Sequence, residues 1–381
     1  MSHLIKTYAK SLEVRVENKP YLVPHFFPIE NGDFVTIHNS DKVPAKSYSY
    51  WPTVVKILKP ELEKRNIKLY QVGAKGDQRI DGVDHFFDNI TFKQSSYLLS
   101  KTLCHVGIDS VPGHIASVFD KPTVTLIAHT YAETCKPIWN GDKALILESH
   151  RNGKKPSFSL NEDPKTVDLI KPEEIAQAVF DQLNFSQTKS QETLFIGSKF
   201  LYKTIDIIPV KESPIIGEKN AEVRIRMDVA FNENELIKIL QKNEISHTIV
   251  TNQPINESLI NGLKPKINKI IYNSAEFDAK FLKFLRHSAL TFELNCDDAT
   301  QLSAQRKKFF HFDIVYENKL EEAVKVQAEL KEKIHDDVRI DAAKIYVLGD
   351  QHLISLGKSV EDVNFWVDFE YFRAYVETDY N

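Results

Sequence analysis

From about residue 34 to about residue 316, short apolar runs of strand length alternate with segments whose apolar residues recur every three or four positions. That alternation constrains the chain more than any single motif. A strand followed by a helix leads back to a parallel neighbour, so repeated βαβ units predict parallel sheets with helices packed on them. No apolar run approaches the ~20 residues needed to cross a bilayer. The opening stretch MSHLIKTYAKSLEVRV lacks the apolar centre of a signal peptide, so a cytoplasmic protein is expected.

Residues 1–34 read as an extended arm, with Pro20, Pro24 and Pro28 around Tyr21, His25, Phe26 and Phe27. Strands are expected at 34–38, 67–72, 103–107 and 122–128. Helices are expected at 51–65, 94–101, 112–119 and 172–183, with Pro60 a point where the first could kink. Residues 35–185 therefore form one doubly wound domain. The polar stretch 184–192 marks a boundary. Beyond it, strands are expected at 193–197, 222–227, 247–251, 268–272, 290–294 and 313–316, with helices at 233–243, 256–263, 277–287 and 299–309. This predicts a second doubly wound parallel-sheet domain over 193–318. Residues 319–381 read as a helical tail. Its aromatics (Phe365, Trp366, Phe369, Tyr371, Phe372, Tyr375, Tyr380) are expected to pack across a domain surface or serve as a partner-binding stripe.

Ligands of open parallel sheets sit outside the carboxyl ends of the strands. The exits of the first domain are His38-Asn39-Ser40, Gly73-Ala74-Lys75-Gly76, Gly107-Ile108-Asp109-Ser110 and Ala128-His129-Thr130. Gly73 and Gly107 would allow close backbone approach. In G-I-D-S-V-P-G-H, Asp109 or Ser110 can cap a helix that starts at the crevice, with Pro112 in its first turn. Exposed amides and the positive end of the dipole suit a diphosphate there. The chain has no G-x-G-x-x-G, no P-loop, no G-x-S-x-G and no H-E-x-x-H, which argues against dinucleotide, P-loop NTPase, α/β-hydrolase and zincin readings. Cys104, Cys135 and Cys296 fit neither a disulfide framework nor a zinc spacing, so reduced thiols and no metal site are expected. A net charge of −4 gives no support for a general polyanion binder.

Residues 35–139 resemble the donor-binding half of glycosyltransferase family nine, the heptosyltransferase group. The likeness rests on an ordered series: the strand exit FVTIHNS, Lys46 ahead of Tyr50-Trp51-Pro52, the strand LYQVG, the D-S-x-P-x-H-x-A run of Asp109, Ser110, Pro112, His114 and Ala116, then Lys121–Leu126 and Pro137-x-Trp139. The sequence departs from the family at Val111, where glycine is usual, and at Ala128-His129-Thr130, where a G-P-T turn is usual. The family also sets its acceptor domain, with the proposed catalytic aspartate, ahead of this half. The resemblance therefore carries no catalytic aspartate over, and 193–316 either supplies a second GT-B-like domain, in permuted order or independently assembled, or is an unrelated α/β module.

The resemblance implies a GT-B-like pair of domains and a nucleotide-diphosphate sugar as donor. It implies no tightly bound cofactor, and transfer to a hydroxyl of a glycan or related acceptor, inverting and metal-independent. It places Lys46, Asp109, Ser110 and His114 at the donor diphosphate and sugar, and Gly73 where the nucleotide passes the backbone. For the general base the sequence offers Asp228, Asp206 and His129 without choosing among them. The alternatives are a non-catalytic binding or scaffold protein on the same fold, a transferase acting on a modified DNA base, and a sugar-nucleotide epimerase.

Overall fold

The protein is described by a computed structural model covering residues 2–39, 42–88, 90–186, 189–210, 221–334, 338–357 and 359–379. Ser40, Tyr380 and residues 187–188 of the boundary stretch lie outside the described residues. The chain divides into two compact units, 1–193 with 377–381, and 194–376.

The first unit opens with helix α1 (Leu4–Ser11), where the sequence reading expects only an extended arm. The rest of the arm forms no helix or strand, and Leu22, Phe27 and Ile29 pack on the unit's second core. The sheet consists of β1 (Phe34–His38), β2 (Lys68–Val72), β3 (Asp84–Phe86), β4 (His105–Ile108), β5 (Thr123–Ile127) and β6 (Ala144–Glu148). Its order is β3-β2-β1-β4-β5-β6 and every pairing is parallel. Helices α2 (Trp51–Glu63), α3 (Phe92–Lys101), α4 (Val111–Val118), α5 (Ala132–Cys135) and α6 (Pro172–Leu183) connect the strands. Helix α2 runs through Pro60 to Glu63 without splitting. Helix α3 starts on a capping box of Thr91 and Gln94. Helix α6 opens on Pro172 and closes on Asn184 in the left-handed conformation.

Two apolar cores flank this sheet. Val54, Leu58, Ile175 and Val179 of α2 and α6 join Val35, Ile37, Val106 and Val124 on one face. Leu98, Leu99, Ile115 and Ala116 of α3 and α4 join Val72 on the other. The unit is thus doubly wound, and β1, β4 and β5 are buried on both faces, as parallel central strands are.

Strand β7 (Lys189–Ile196) carries the chain into the second unit. There β8 (Thr204–Ile207), β9 (Glu222–Arg226), β10 (His247–Thr251), β11 (Ile267–Asn273), β12 (Thr291–Cys296) and β13 (Ile314–Tyr316) lie side by side in sequence order, all parallel. The helices are α7 (Glu233–Lys242), α8 (Glu257–Leu263), α9 (Ala279–His287), α10 (Ala299–Lys308) and α11 (Lys319–Leu330). Of the expected helical tail, α11 is helical, but beyond it the chain forms β14 (Arg339–Ala342), β15 (Lys344–Leu348), β16 (Gln351–Leu353) and β17 (Phe372–Asp379). Strand β15 adds to the sheet beside β8, in parallel, and β16 pairs antiparallel to β15. The tail aromatics Phe365, Trp366 and Phe372 are buried in a core with Ala323 of α11, so these rings serve packing.

The sheet of the second unit has two unlike faces. Ile205, Ile207, Val223, Ile225, Ile249, Ile270 and Leu294 point into the helix-packed core. The alternate positions carry Asp206, Arg224, Arg226, Thr248, Lys269 and Lys344. Among the described residues no helix is long and apolar enough to cross a membrane.

Candidate functional site

In the first unit the chain leaves β1 toward β2 and β3 on one side, and leaves β4 toward β5 and β6 on the other. Divergence of neighbouring loops at such a switch point opens a crevice at the carboxyl ends of the strands. The residues around it come from those exits. Strand β1 ends at His38, and β4 leads through Asp109 and Ser110 into α4.

Gly107 lets the two strands meet. A Cβ on it would lie 2.8 Å from the His38 carbonyl oxygen and 3.2 Å from the His38 Cβ. The approach puts His38 Nδ1 2.7 Å from the Ser110 hydroxyl. Ser110 holds the N-cap position of α4 in extended conformation, yet its side chain makes no capping bond. The hydroxyl is spent on His38 and on the Ile108 carbonyl, at 3.1 Å, which leaves the first-turn amides uncovered by it.

Lys46 ends a short 3-10 turn (Pro44–Lys46) on the β1–α2 connection. Its ammonium donates to the Asp109 carbonyl at 3.0 Å and lies 3.1 Å from the Asp109 carboxylate. His114, one turn into α4, places Nε2 3.8 Å from the other Asp109 oxygen. Burial alone would raise the Asp109 carboxyl, but the His114 and Lys46 groups outweigh it and hold it below the usual carboxylate range. Lys46, Asp109, Ser110 and His114 are therefore brought together at the switch point.

Gly73 stands at the exit of the neighbouring β2, and its open side is taken by the protein itself. The Asp77 carboxylate packs where a Cβ would be and accepts the Ala74 N–H at 2.7 Å. From there Asp77 reaches His38 Nε2 at 3.5 Å. Burial pushes the Asp77 carboxyl up, while the His38 and Ala74 hydrogen bonds bring it below its ordinary value. An amide network pins this turn under β1: Gln71 Nε2 donates to Asn39 Oδ1 at 2.8 Å and to the Gln78 carbonyl at 2.8 Å.

The third exit, 128–130, is organised by a residue the sequence reading does not single out. Arg151 is buried, donates to the Ala128 carbonyl at 2.5 Å and the Thr130 carbonyl at 2.8 Å, and pairs with Glu148. His129 is buried in this loop, its carbonyl accepting from Phe158 N at 2.9 Å. His38, Asp77 and Arg151 each act across a wide sequence gap; only the position of His38 at a strand exit carries a local signal.

Asp206 and Asp228 belong to the second unit. Asp206 has no exposed surface and is paired with Lys344 at 2.9 Å and Arg226 at 2.6 Å. Burial would raise it, but Lys344 and Arg226 hold it below the ordinary carboxylate range. Asp228 is gripped through both oxygens by Arg226, each at 2.8 Å. A general base needs a reachable lone pair, and Asp206 offers none. Beneath the same sheet face, Lys344 also meets Asp368 at 2.5 Å, and Arg224 meets the Tyr371 hydroxyl at 3.3 Å.

Comparison with known proteins bears on the first unit. Residues 87–165 match the family model of glycosyltransferase family 9 (heptosyltransferase). The matched segment is about a fifth of the chain and includes Asp109, Ser110 and His114 but not Lys46. No curated protein matches. Similar solved structures include a family 9 glycosyl transferase from Veillonella parvula, with 14% identity over 48% of this chain and 51% of that one and a TM-score of 0.33. E. coli ADP-heptose LPS heptosyltransferase II follows at 16% identity over 48% and 51%, with a TM-score of 0.30. The iron-containing dodecameric glycosyltransferase TibC from enterotoxigenic E. coli shows 13% identity over 45% and 51%, with a TM-score of 0.35. This chain spans about half the length of each.

Proposed function

We propose that the first unit binds the diphosphate of a nucleotide sugar and that the protein is a glycosyltransferase. One observation carries the reading. The uncovered start of α4, with Lys46 beside it, sits at the switch point of a parallel sheet, inside or next to the segment that matches the family 9 model. The free amides and the ammonium would hold the diphosphate and neutralise the charge that builds up as the sugar leaves. The acceptor in this reading is a hydroxyl of a glycan or related molecule. Transfer is inverting and independent of a metal ion. A cytoplasmic setting suits the three buried free cysteines.

A second reading, a binding module without turnover, has one observation in its favour. The carboxylates Asp206 and Asp228 are locked by cations, so neither is ready to serve as a base. Donor hydrolysis separates the two readings. Slow release of free nucleoside diphosphate supports an enzyme, and binding without release supports a module.

The first test is thermal. The melting temperature is measured with ADP-, UDP-, GDP- and CDP-linked sugars, since a ligand that binds only the folded state raises it in proportion to affinity. At least one of the four should stabilise the protein, and Lys46→Ala should lose most of that gain. If none stabilises it at millimolar concentration, the donor-site reading fails. Anomeric analysis of any product and turnover in the presence of a chelator test inversion and metal independence.

A further inference from the structure

The contact between His38 and Ser110 bears on how the site would take a diphosphate. Ser110 has one hydroxyl proton and two neighbours for it, His38 Nδ1 at 2.7 Å and the Ile108 carbonyl at 3.1 Å. His38 is buried, and its other nitrogen faces the Asp77 carboxylate at 3.5 Å. A carboxylate cannot donate, so a neutral His38 keeps its proton on Nε2, toward Asp77. Nδ1 is then a bare acceptor and takes the Ser110 proton. In that state Ser110 turns only lone pairs toward the crevice and repels phosphate oxygens. A protonated His38 reverses the bond. Nδ1–H donates to Ser110 Oγ, and the hydroxyl proton, no longer held by His38, can turn from the Ile108 carbonyl to an anion.

We infer that His38, held by Asp77, is a positioning residue that sets Ser110 as hydrogen-bond donor or acceptor, and that binding of a nucleotide-sugar diphosphate at α4 draws a proton onto His38. The inference rests on the donor-site reading above and adds to it a coupling between ligand and proton. In transfer the same path can run forward. As the sugar–oxygen bond breaks, the electron pair goes to the departing phosphate oxygen. Ser110 gives that oxygen its proton and recovers one from His38 Nδ1, which ends neutral. The acceptor hydroxyl oxygen forms the new bond to the sugar carbon as the old one breaks, and its proton passes to water, which balances the step.

Among the described residues, the charged groups around the imidazole are few. Asp77 faces it from the turn after β2. His105 lies below on β4, where burial, with a smaller push from His38, drives its pKa down to about 3 and keeps it neutral. On the α4 side stand Asp109, Lys46 and His114, already paired with one another. Of these, His114 is the other imidazole near the ligand, so it is the necessary control.

The test is titration calorimetry of the full chain with ADP-, UDP-, GDP- and CDP-glucose, from about pH 5.5 to 8.5, in two buffers of different ionisation enthalpy. The diphosphate of a nucleotide sugar is a diester and does not itself titrate in that range, so proton uptake belongs to the protein. The wild type should take up a fraction of a proton per ligand, and its affinity should fall several-fold as pH rises across the range. His38→Asn and Asp77→Asn should remove the uptake and flatten the profile, whereas His114→Asn should keep it. Ser110→Ala should also lose it. If Ser110→Ala retains full uptake, His38 acts on the ligand directly and the relay is overturned. Binding by the wild type without proton uptake overturns the relay and leaves the donor site standing; no binding by any of the four overturns both. Melting curves accompany each variant, and Asp77→Asn, which sits in a surface turn and keeps an acceptor for Ala74 N–H, covers the case where His38→Asn does not fold.

Discussion

Gly107→Ala tests the strand contact on which the first unit's site is built. The new Cβ would lie 2.8 Å from the His38 carbonyl oxygen, 3.2 Å from the His38 Cβ and 3.3 Å from His105 Nε2. Comfortable carbon contacts begin near about 3.5 Å, so β1 and β4 must part by several tenths of an ångström. The two neighbours from His38 are tied to the β1 backbone, and the His105 ring is buried and bonded to Thr36 at 3.0 Å. Nothing nearby is the loose end of a flexible side chain. Forcing a methyl group into a filled core costs ~1–3 kcal/mol. At about 2–4 °C per kcal/mol for a unit of this size, the transition of the first unit should drop by roughly 2–12 °C. Parting the strands also opens the 2.7 Å contact of His38 with Ser110, so nucleotide-sugar affinity should fall about tenfold, equivalent to ~1.4 kcal/mol. Differential scanning calorimetry and a ligand titration measure the two effects. Gly113→Ala is the control, since its nearest contacts, at 3.7 Å, are ordinary and its helical site favours alanine. A Gly107→Ala protein that melts and binds like wild type, or a Gly113→Ala protein equally damaged in stability, would refute the reasoning.

Three further outcomes are expected. Lys344→Met leaves the carboxylates of Asp206 and Asp368 buried with one cation fewer; urea unfolding should show a loss of ~3–5 kcal/mol in the second unit, and an unchanged midpoint would contradict the pairing. Asp77, Asp109 and Asp206 all have carboxyls held below the unfolded value. Their contribution is complete above the unfolded pKa of about 3.9 and is lost as pH falls through the lower folded values, so the melting temperature should decline on acidification below about pH 5; a rise there would show the sign to be wrong. Arg151→Met removes the donors that hold the Ala128 and Thr130 carbonyls; faster amide exchange at 128–131, measured by mass spectrometry, should follow, and unaltered exchange would count against Arg151 as the anchor of that loop.

The parts legible in the sequence are those whose signal is local. Strands β1, β4 and β5 are uninterrupted apolar runs, and α4 announces itself through Asp109, Ser110 and Pro112. The meeting of Lys46 with Asp109 was reachable only through the family resemblance, because 63 positions separate them. Strand β8 escaped notice because it is four residues long with Asp206 at its centre, and an alternating charge looks like a loop until its opposite face finds a core. The strands of the tail were hidden for a related reason. Lys344, Asp206 and Asp368 are charged residues that become interior only through one another. Ser110 and the exit position of His38 were legible, but their link to each other and to Asp77 was not, since the three come from separate strand exits.

The placement of β15 has a consequence for how the second unit comes into being. Strands β8 to β13 are laid down in chain order, each against the one before, so they can pair as synthesis proceeds. The strand that covers the open flank of β8 comes after all of these, with an ammonium that helps neutralise Asp206. Until residue 344 has emerged, the growing chain holds a nearly complete sheet with a bare first edge and a carboxylate short of one cation. Ribosome-bound chains stopped before and after that residue should differ sharply in protease resistance.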